Sequence, residues 1–185
     1  MKFKSILTVI THANQAQAAI TAAARVALAN DGHLDVLALG VDQTQLGYSY
    51  MGSGAILTEM SLERAEEDAK AAEVAARAAL TEQSPAVRWT LEAAVAHSGG
   101  ITSLIAHAAS FADLVVQTLP YGKDQGYHAE AAVEAALFQG HAPVLVVPTK
   151  GEFGHLANPR RIILAWNQSA EALTAAKHAL PLLCA

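Results

Sequence analysis

The sequence predicts an α/β fold in which a parallel sheet carries helices on both faces. Short runs of β-branched and other apolar residues alternate along the chain with long alanine-rich segments of helical period. The alternation begins with a strand, and such an order is typical of parallel sheets covered on both sides. With 185 residues, 52% of them hydrophobic, the chain is large enough to bury the core that this architecture needs.

The first predicted strand spans residues 3–11 and leads into an alanine-rich helix. The apolar stripe of that helix consists of Ala16, Ala19, Ile20, Ala23 and Ala27. We expect the helix to end at Asn30-Asp-Gly, where Gly32 would take the left-handed cap conformation. The second strand then follows at residues 34–41.

A polar, glycine-bearing segment, residues 42–57, precedes a second helix predicted to begin near Ser61. Its apolar stripe is Leu62, Ala65, Ala69, Ala72, Ala76 and Ala79. On its outer face, Glu66 with Lys70 and Glu73 with Arg77 have the i,i+4 spacing of ion pairs. The third strand is predicted at residues 87–95.

The third helix follows Ser98-Gly-Gly, with Ser98 or Thr102 expected to cap it. The residues expected to turn inward from this helix are Ile101, Leu104, Ile105 and Ala108. The fourth strand, residues 112–117, leads into a helix that ends at Gly140. That helix is expected to bury Ala129, Ala132, Val133, Ala136 and Leu137. The fifth strand, residues 144–147, lies between two prolines.

A repeat follows this five-stranded unit. Residues 1–149 form the predicted domain, residues 150–159 read as a linker, and residues 160–185 resemble the beginning of the chain. The segment 162–172 can be laid over 6–16 with the same apolar period. We therefore expect 160–185 to be the first strand and helix of a second, incomplete repeat, which packs on further chain or on another subunit.

Composition and motifs exclude several classes of function. Twelve basic residues against 17 acidic ones, with no long basic run, argue against nucleic-acid binding. The sequence contains no uninterrupted stretch of about 18 apolar residues, so we expect no membrane helix. The single cysteine, Cys184, suits a reducing compartment such as the cytoplasm. The histidines lack metal-ligand spacing, and no GxSxG nucleophile motif is present, so neither a metal site nor a catalytic residue is predicted.

Three stretches of the chain resemble the universal stress protein family. They are KSILTV (4–9), ADLVV (112–116) and EAALFQGHAPVLVV (134–147), the last of which is similar to the family's closing helix and strand. The resemblance implies an adenine-nucleotide α-hydrolase-like, Rossmann-like sheet in the order 3-2-1-4-5. Ligands favour the cleft where the carboxyl ends of strands one and four diverge in such a sheet.

The loop after strand four departs from the glycine pattern of the family's nucleotide binders, Gly-x2-Gly-x9-Gly-Ser/Thr. In VQTLPYGKDQGYHAE (116–130), Thr118 and Tyr121 fall at the first two glycines, and Glu130-Ala131 falls at the Gly-Ser pair. Glycine lets backbone N–H groups approach phosphate oxygens, whereas a carboxylate at a helix start would repel them. Thr11 also stands where these relatives usually carry Asp. We therefore expect the usual ATP loop to be absent.

Two alternatives remain open at this point. One is an ATP- or AMP-binding protein whose site is an atypical loop or lies in the missing part of the second repeat. The other is a pyrophosphatase-like or adenylating enzyme of the same fold, suggested by the similarity of SGGITS (98–103) to a pyrophosphate loop, although Thr102 replaces the Asp of that loop.

All four tyrosines fall in predicted loops at the carboxyl end of the sheet, where they could stack on a planar ligand or simply pack over the sheet. The candidate cleft residues are Thr11, His12, Val41, Tyr48, Gln117, Thr118, Tyr121, Gly122, Lys123 and Gly126. The fifth strand is an edge in the expected order, and exposed edges tend to be paired. We expect 144–147 to join a second copy, as a homodimer, or a second domain. The sequence thus predicts a non-catalytic binding protein of the stress response.

Overall fold

The computed structural model describes residues 3–43, 54–121, 126–151, 153, 156, 159 and 161–183. Within these ranges the side chains of residues 54–57 and 126–127 are not described. The predicted site residues Tyr48, Gly122 and Lys123 lie outside the described residues.

Five parallel strands form one sheet in the order β3-β2-β1-β4-β5, which confirms the predicted fold class. The strands are β1 (Ser5–Ile10), β2 (His33–Asp42), β3 (Arg88–His97), β4 (Leu114–Thr118) and β5 (Val144–Val147). β1 and β4 are buried along nearly their whole length, as expected for central strands covered on both faces. β5 is an edge strand, as predicted.

The helices cover both faces of the sheet. They are α1 (Ala16–Asn30), preceded by a 3₁₀ turn at Ala13–Gln15, α2 (Gly54–Thr81), α3 (Ile101–Ala109), α4 (Gly126–Glu134), which continues as a π-helical turn at Ala135–Gln139, and α5 (Ala170–Leu183). α1 and α2 pack on one face around Ile6, Ile20 and Leu34. α3 and α4 pack on the other face around Val9, Ile105 and Val115.

α1 ends differently from the prediction. Asp31, not Gly32, takes the left-handed conformation, with φ of 48°. Lys4 and Arg88 each lie 2.9 Å from the Asp31 carboxylate, and the Lys4 hydrogen bond followed by the Arg88 charge lowers the pKa of Asp31. Gly32 is needed for space, because a Cβ there would lie 2.8 Å from the backbone oxygen of Phe3.

α2 begins seven residues earlier than predicted, at Gly54. No glycine or proline separates Gly54 from Ser61, so nothing in the sequence stops the helix from extending back to Gly54. The alanines of the predicted stripe are buried, but Leu62 is 41% exposed. Glu73 pairs with both Arg77 and Lys70, so the predicted bond from Lys70 to Glu66 is replaced by one at i,i+3.

Two further expectations about helices are wrong. No side chain caps α3: Gly100 occupies the cap position, and its N–H donates to His97 O at 2.7 Å. At the end of α4, Ala135 is buried and Leu137 is 41% exposed. The π-helical turn explains this difference, because a wider turn changes which residues face the sheet.

The C-terminal segment forms a helix without the expected strand. Residues 161–169 lie outside regular secondary structure, and Ile163 is 95% exposed. An extended segment that pairs with no strand leaves its backbone N–H and C=O groups without the hydrogen bonds that a sheet supplies. None of the described strands pairs with residues 161–169. α5 is formed, with half-buried Leu182 packed against the core. The division of the chain into two repeats stays a prediction.

Candidate functional site

The sheet opens between β1 and β4. These strands pair only at Ile6–Leu114 and Leu7–Val115, whereas β1 pairs with β2 along its whole length. Their carboxyl ends therefore separate at the point where the strand order reverses. Such a switch point is the place where open parallel sheets bind ligands.

Polar side chains are buried at this opening. Thr11 follows β1 and Thr118 ends β4, and both are at most 5% exposed. The Thr11 hydroxyl lies 3.3 Å from Oε1 of Gln15, which is itself 4% exposed. The sequence predicted Thr11 and Thr118 as cleft residues but missed Gln15, which the 3₁₀ turn places four residues beyond Thr11.

Among the described residues, the side-chain amide nitrogen of Gln117 has no hydrogen-bond partner. Gln117 is 5% exposed, and its Nε2 makes no hydrogen bond to any described residue. It shares the sheet face of Val115, two residues earlier, and therefore faces the layer of α3 and α4. A buried amide donor left unbonded costs about 1–3 kcal/mol. An acceptor that reached Nε2 would remove this cost.

The beginning of α4 lies close to the ends of β1 and β2. His128 Nε2 is 3.5 Å from Nε2 of Gln43, which directly follows β2. The pKa of His128 is lowered, first because the ring is partly desolvated and then because the charge of His12 opposes protonation. His12 was a predicted cleft residue, whereas His128 was missed. This end of the sheet therefore favours a neutral imidazole on α4.

A second polar network lies beside it, at the ends of β2 and β3. The Asp42 carboxylate is buried and accepts a hydrogen bond from Ser61 Oγ at 2.6 Å. Its other oxygen lies 2.9 Å from His97 Nδ1. Asp42 and His97 are partners in the strand register, so the pairing of β2 with β3 brings them together.

The order of the three side chains in this network does not support catalysis by a serine nucleophile. The carboxylate stands between the hydroxyl and the imidazole, whereas a nucleophilic serine needs a base at its own oxygen. Asp42 instead fixes Ser61 of α2 and orients the exposed ring of His97. The sequence signal that could have revealed it is the polar residue at the carboxyl end of each of two neighbouring strands.

Of the remaining predicted cleft residues, the structure describes Val41, Tyr121 and Gly126. Val41 is half-buried and packs on the core of the α3 and α4 face. Tyr121 is 60% exposed, and Gly126 is the first residue of α4. Tyr127 was expected in a loop but belongs to the first turn of α4. Glu130, expected at the helix start, lies one turn inside it.

Neither a cluster of metal-binding side chains nor a membrane-spanning helix is found among the described residues. No group of three or more His, Cys, Asp or Glu side chains within these ranges is placed to hold a metal ion. Among the described helices, none is both long enough and apolar enough to cross a bilayer.

The fold was compared with known proteins. No family model matches the sequence, and no curated protein matches it. Among solved structures, the universal stress protein UspA from Lactobacillus plantarum superposes with a TM-score of 0.56 at 18% identity, over 80% of this chain and 99% of that one. The chain has the universal stress protein fold.

Two other matching structures have TM-scores below 0.5. A universal stress protein from Archaeoglobus fulgidus in complex with dAMP gives a TM-score of 0.45 at 13% identity, over 79% of this chain and 98% of that one. A universal stress protein in complex with cAMP gives 0.44 at 14% identity, over 81% of this chain and 100% of that one.

Proposed function

We propose that this protein is a non-catalytic, universal-stress-type binding protein of the stress response, which takes a small polar ligand between the carboxyl ends of β1 and β4. The observation that carries the proposal is Gln117, whose buried amide nitrogen has no hydrogen-bond partner among the described residues. The side chains of Thr11 and Thr118 are also buried where β1 and β4 end, although Thr118 shares the sheet face of Val116, on the side of α1 and α2. A hydrogen-bonding ligand that reached Gln117 Nε2 would offset the desolvation of that donor.

The sequence of the loop after β4 departs from the glycine pattern of a triphosphate cradle. α4 begins at Gly126, so only residues 119–125 connect it to β4. Thr118 and Tyr121 carry side chains at the positions where nucleotide-binding relatives have glycine. A Cβ at such positions keeps backbone N–H groups away from phosphate oxygens. We therefore propose that ATP is not held in the usual way, and that no ATP hydrolysis follows.

Native mass spectrometry, before and after denaturation, tests for a bound small molecule. Titration calorimetry with ATP and AMP, together with a phosphate-release assay, then tests the nucleotide alternative. We expect no phosphate release above the blank and no tight ATP binding. A mass equal to ATP or AMP that is lost on denaturation would overturn the claim that the nucleotide cradle is absent.

Replacing Gln117 by Met tests the role of its amide. Met has a similar shape and removes the unbonded donor, so Gln117→Met is expected to stabilise the free protein by about 1 kcal/mol or more while weakening retention of the ligand. Gln139→Met is the matched control, because Gln139 is exposed. Destabilisation by Gln117→Met would show that the amide is already satisfied in the free protein.

We also propose that β5 pairs with a second copy of the chain or with a second domain. β5 is an edge of the sheet, and Val146 at its middle is 42% exposed. An apolar edge with no charged residue is poorly protected against pairing. Val146→Lys is expected to shift the mass measured by light scattering toward the monomer, whereas Val74→Lys on the exposed face of α2 is not. A monomeric parent chain would contradict pairing between copies.

We retain the predicted division into a domain at 1–149, a linker at 150–159 and the start of a second repeat. Limited proteolysis is expected to cut first within 150–159. First cleavage within 1–149 would count against the division. Because a lone cysteine suits a reducing compartment, we propose the cytoplasm as the location; a fractionation experiment checks it.

A further inference from the structure

α1 carries a single polar stripe. Before its last turn, the only polar residues of this alanine-rich helix are Gln17, Thr21 and Arg25, spaced four residues apart. Residues at i, i+4 and i+8 share one face of a helix, and here they span about 12 Å. Nine other residues of α1 are buried in the core, so this stripe is the main outward face of the helix.

The stripe forms one wall of a groove. The other wall is the segment after β5, where Thr149, Lys150 and Gly151 lie beside α1. Gly151 has φ of 145°, a conformation that favours glycine, and Phe153 two residues later is 6% exposed and belongs to the core. The buried Phe153 anchors this segment next to α1. The groove is open to solvent on one side, and its volume of about 530 Å³ is within the range of small-molecule sites.

The charge of the groove is unlike that of the protein as a whole. The chain has a net charge of −5, yet two cations, Arg25 and Lys150, line this groove. Neither makes a salt bridge within the described residues, whereas Lys4, Lys70, Arg77 and Arg88 all do. No acidic residue in the described part of the chain lines the groove.

Hydrogen-bonding groups accompany the two cations. Asn14, Gln17, Thr21 and Thr149 all line the groove. Gln17 Nε2 donates to Glu82 at 2.9 Å, which orients its amide. Arg25 lies two turns along the helix from Gln17, which separates its position on α1 from that of the residue bonded to Glu82. Cations together with amide and hydroxyl groups are the ordinary partners of phosphate and carboxylate oxygens.

We propose that this groove is a second binding site, for a small molecule that carries an oxyanion, with Arg25 and Lys150 as the groups that hold the anion. It is distinct from the opening between β1 and β4, because neither Arg25 nor Lys150 belongs to that opening and the two places have in common only the 3₁₀ turn that carries Asn14 and Gln15. The two proposed sites can therefore be tested independently of each other.

Titration followed by ¹H–¹⁵N NMR tests the groove. The probes are inorganic phosphate and, separately, citrate, each compared with chloride at the same ionic strength, because screening alone shifts exposed charged residues. We expect saturable shifts at the amides of Thr21, Arg25, Lys150 and Gly151. A response to phosphate alone or to citrate alone supports the site and identifies which oxyanion it accepts.

The double variant Arg25→Gln/Lys150→Gln is expected to raise the dissociation constant at least about tenfold. Both side chains are exposed, and the dispersion of the spectrum reports whether the variant is folded. Arg64→Gln is the matched control, since Arg64 is an exposed cation on α2, and it should leave the affinity unchanged. Gln117→Met should also leave these shifts unchanged.

Three results would overturn the proposal. The first is a linear response no larger than that to chloride, and the second is a saturable response that survives in the double variant. The third is a set of shifts centred on Thr11 and Thr118, which would move anion binding to the opening between β1 and β4.

Discussion

Ser61→Ala tests how the end of β2 is fixed beneath α2. The Ser61 hydroxyl donates to the buried Asp42 carboxylate at 2.6 Å, and the carboxylate is 1% exposed. The substitution removes this donor and leaves a buried carboxylate oxygen with less hydrogen bonding. We expect the free energy of unfolding to fall for that reason.

The expected loss follows from two opposing contributions. A hydrogen bond to a charged group contributes about 1.5–3 kcal/mol. Alanine is a better helix former than serine by roughly 0.5 kcal/mol, which offsets part of the loss. The net loss should therefore be about 1–2.5 kcal/mol, and for a chain of this size the melting temperature should fall by roughly 2–10 °C. His97→Ala should cost less, under about 1 kcal/mol, because its side chain is 79% exposed.

Urea unfolding of the parent chain and each variant gives these differences, with an unchanged m-value showing that the same transition is compared. Ser110→Ala is the control, because its hydroxyl bonds the His107 carbonyl at an exposed helix end. A Ser61→Ala loss no larger than that of Ser110→Ala would refute the inference that the carboxylate depends on Ser61.

Two more perturbations follow from the packing and the charges. Gly40→Ala should destabilise the protein by more than about 3 kcal/mol or prevent folding, because the added Cβ would lie 1.9 Å from the Ala65 carbonyl oxygen. Thermal unfolding checks this prediction. Gly99→Ala is the control, because a Cβ at Gly99 meets nothing within 4 Å. The lowered pKa of His128 means that the unfolded chain binds its proton more readily than the native state does, so stability should fall as pH drops below about 6.5. Unfolding midpoints between pH 5 and 7 should depend less on pH in His128→Gln, and an unchanged slope would contradict this role.

Much of the sheet could be predicted because its signals are local. Runs such as VLVV at 144–147 and the alanine stripe of α2 are decided by residues near one another in sequence, and the strands and most buried alanines follow from them. Element boundaries were less predictable. The start of α2 at Gly54 and the shift from Leu137 to Ala135 depend on how each helix meets the sheet, which periodicity alone does not contain.

The sequence likewise predicted some features of the candidate site and not others. The sequence placed Thr11, Gln117 and Thr118 at strand ends, which is a local property, and the structure shows that all three are buried. It could not show that Nε2 of Gln117 would have no hydrogen-bond partner among the described residues, because that depends on every side chain packed around it.

The amino-acid sequence alone was enough to predict the fold class, the five strands of the sheet and the departure of the loop after β4 from the glycine pattern. Which distant polar groups meet depends on the tertiary structure. Asp42 and His97 are 55 residues apart in sequence and become neighbours through the register of β2 and β3. Arg25 and Lys150 come to line one groove because Phe153 packs into the core beside α1. Such contacts arise from the packing of whole elements against each other, and no local pattern of residues encodes them.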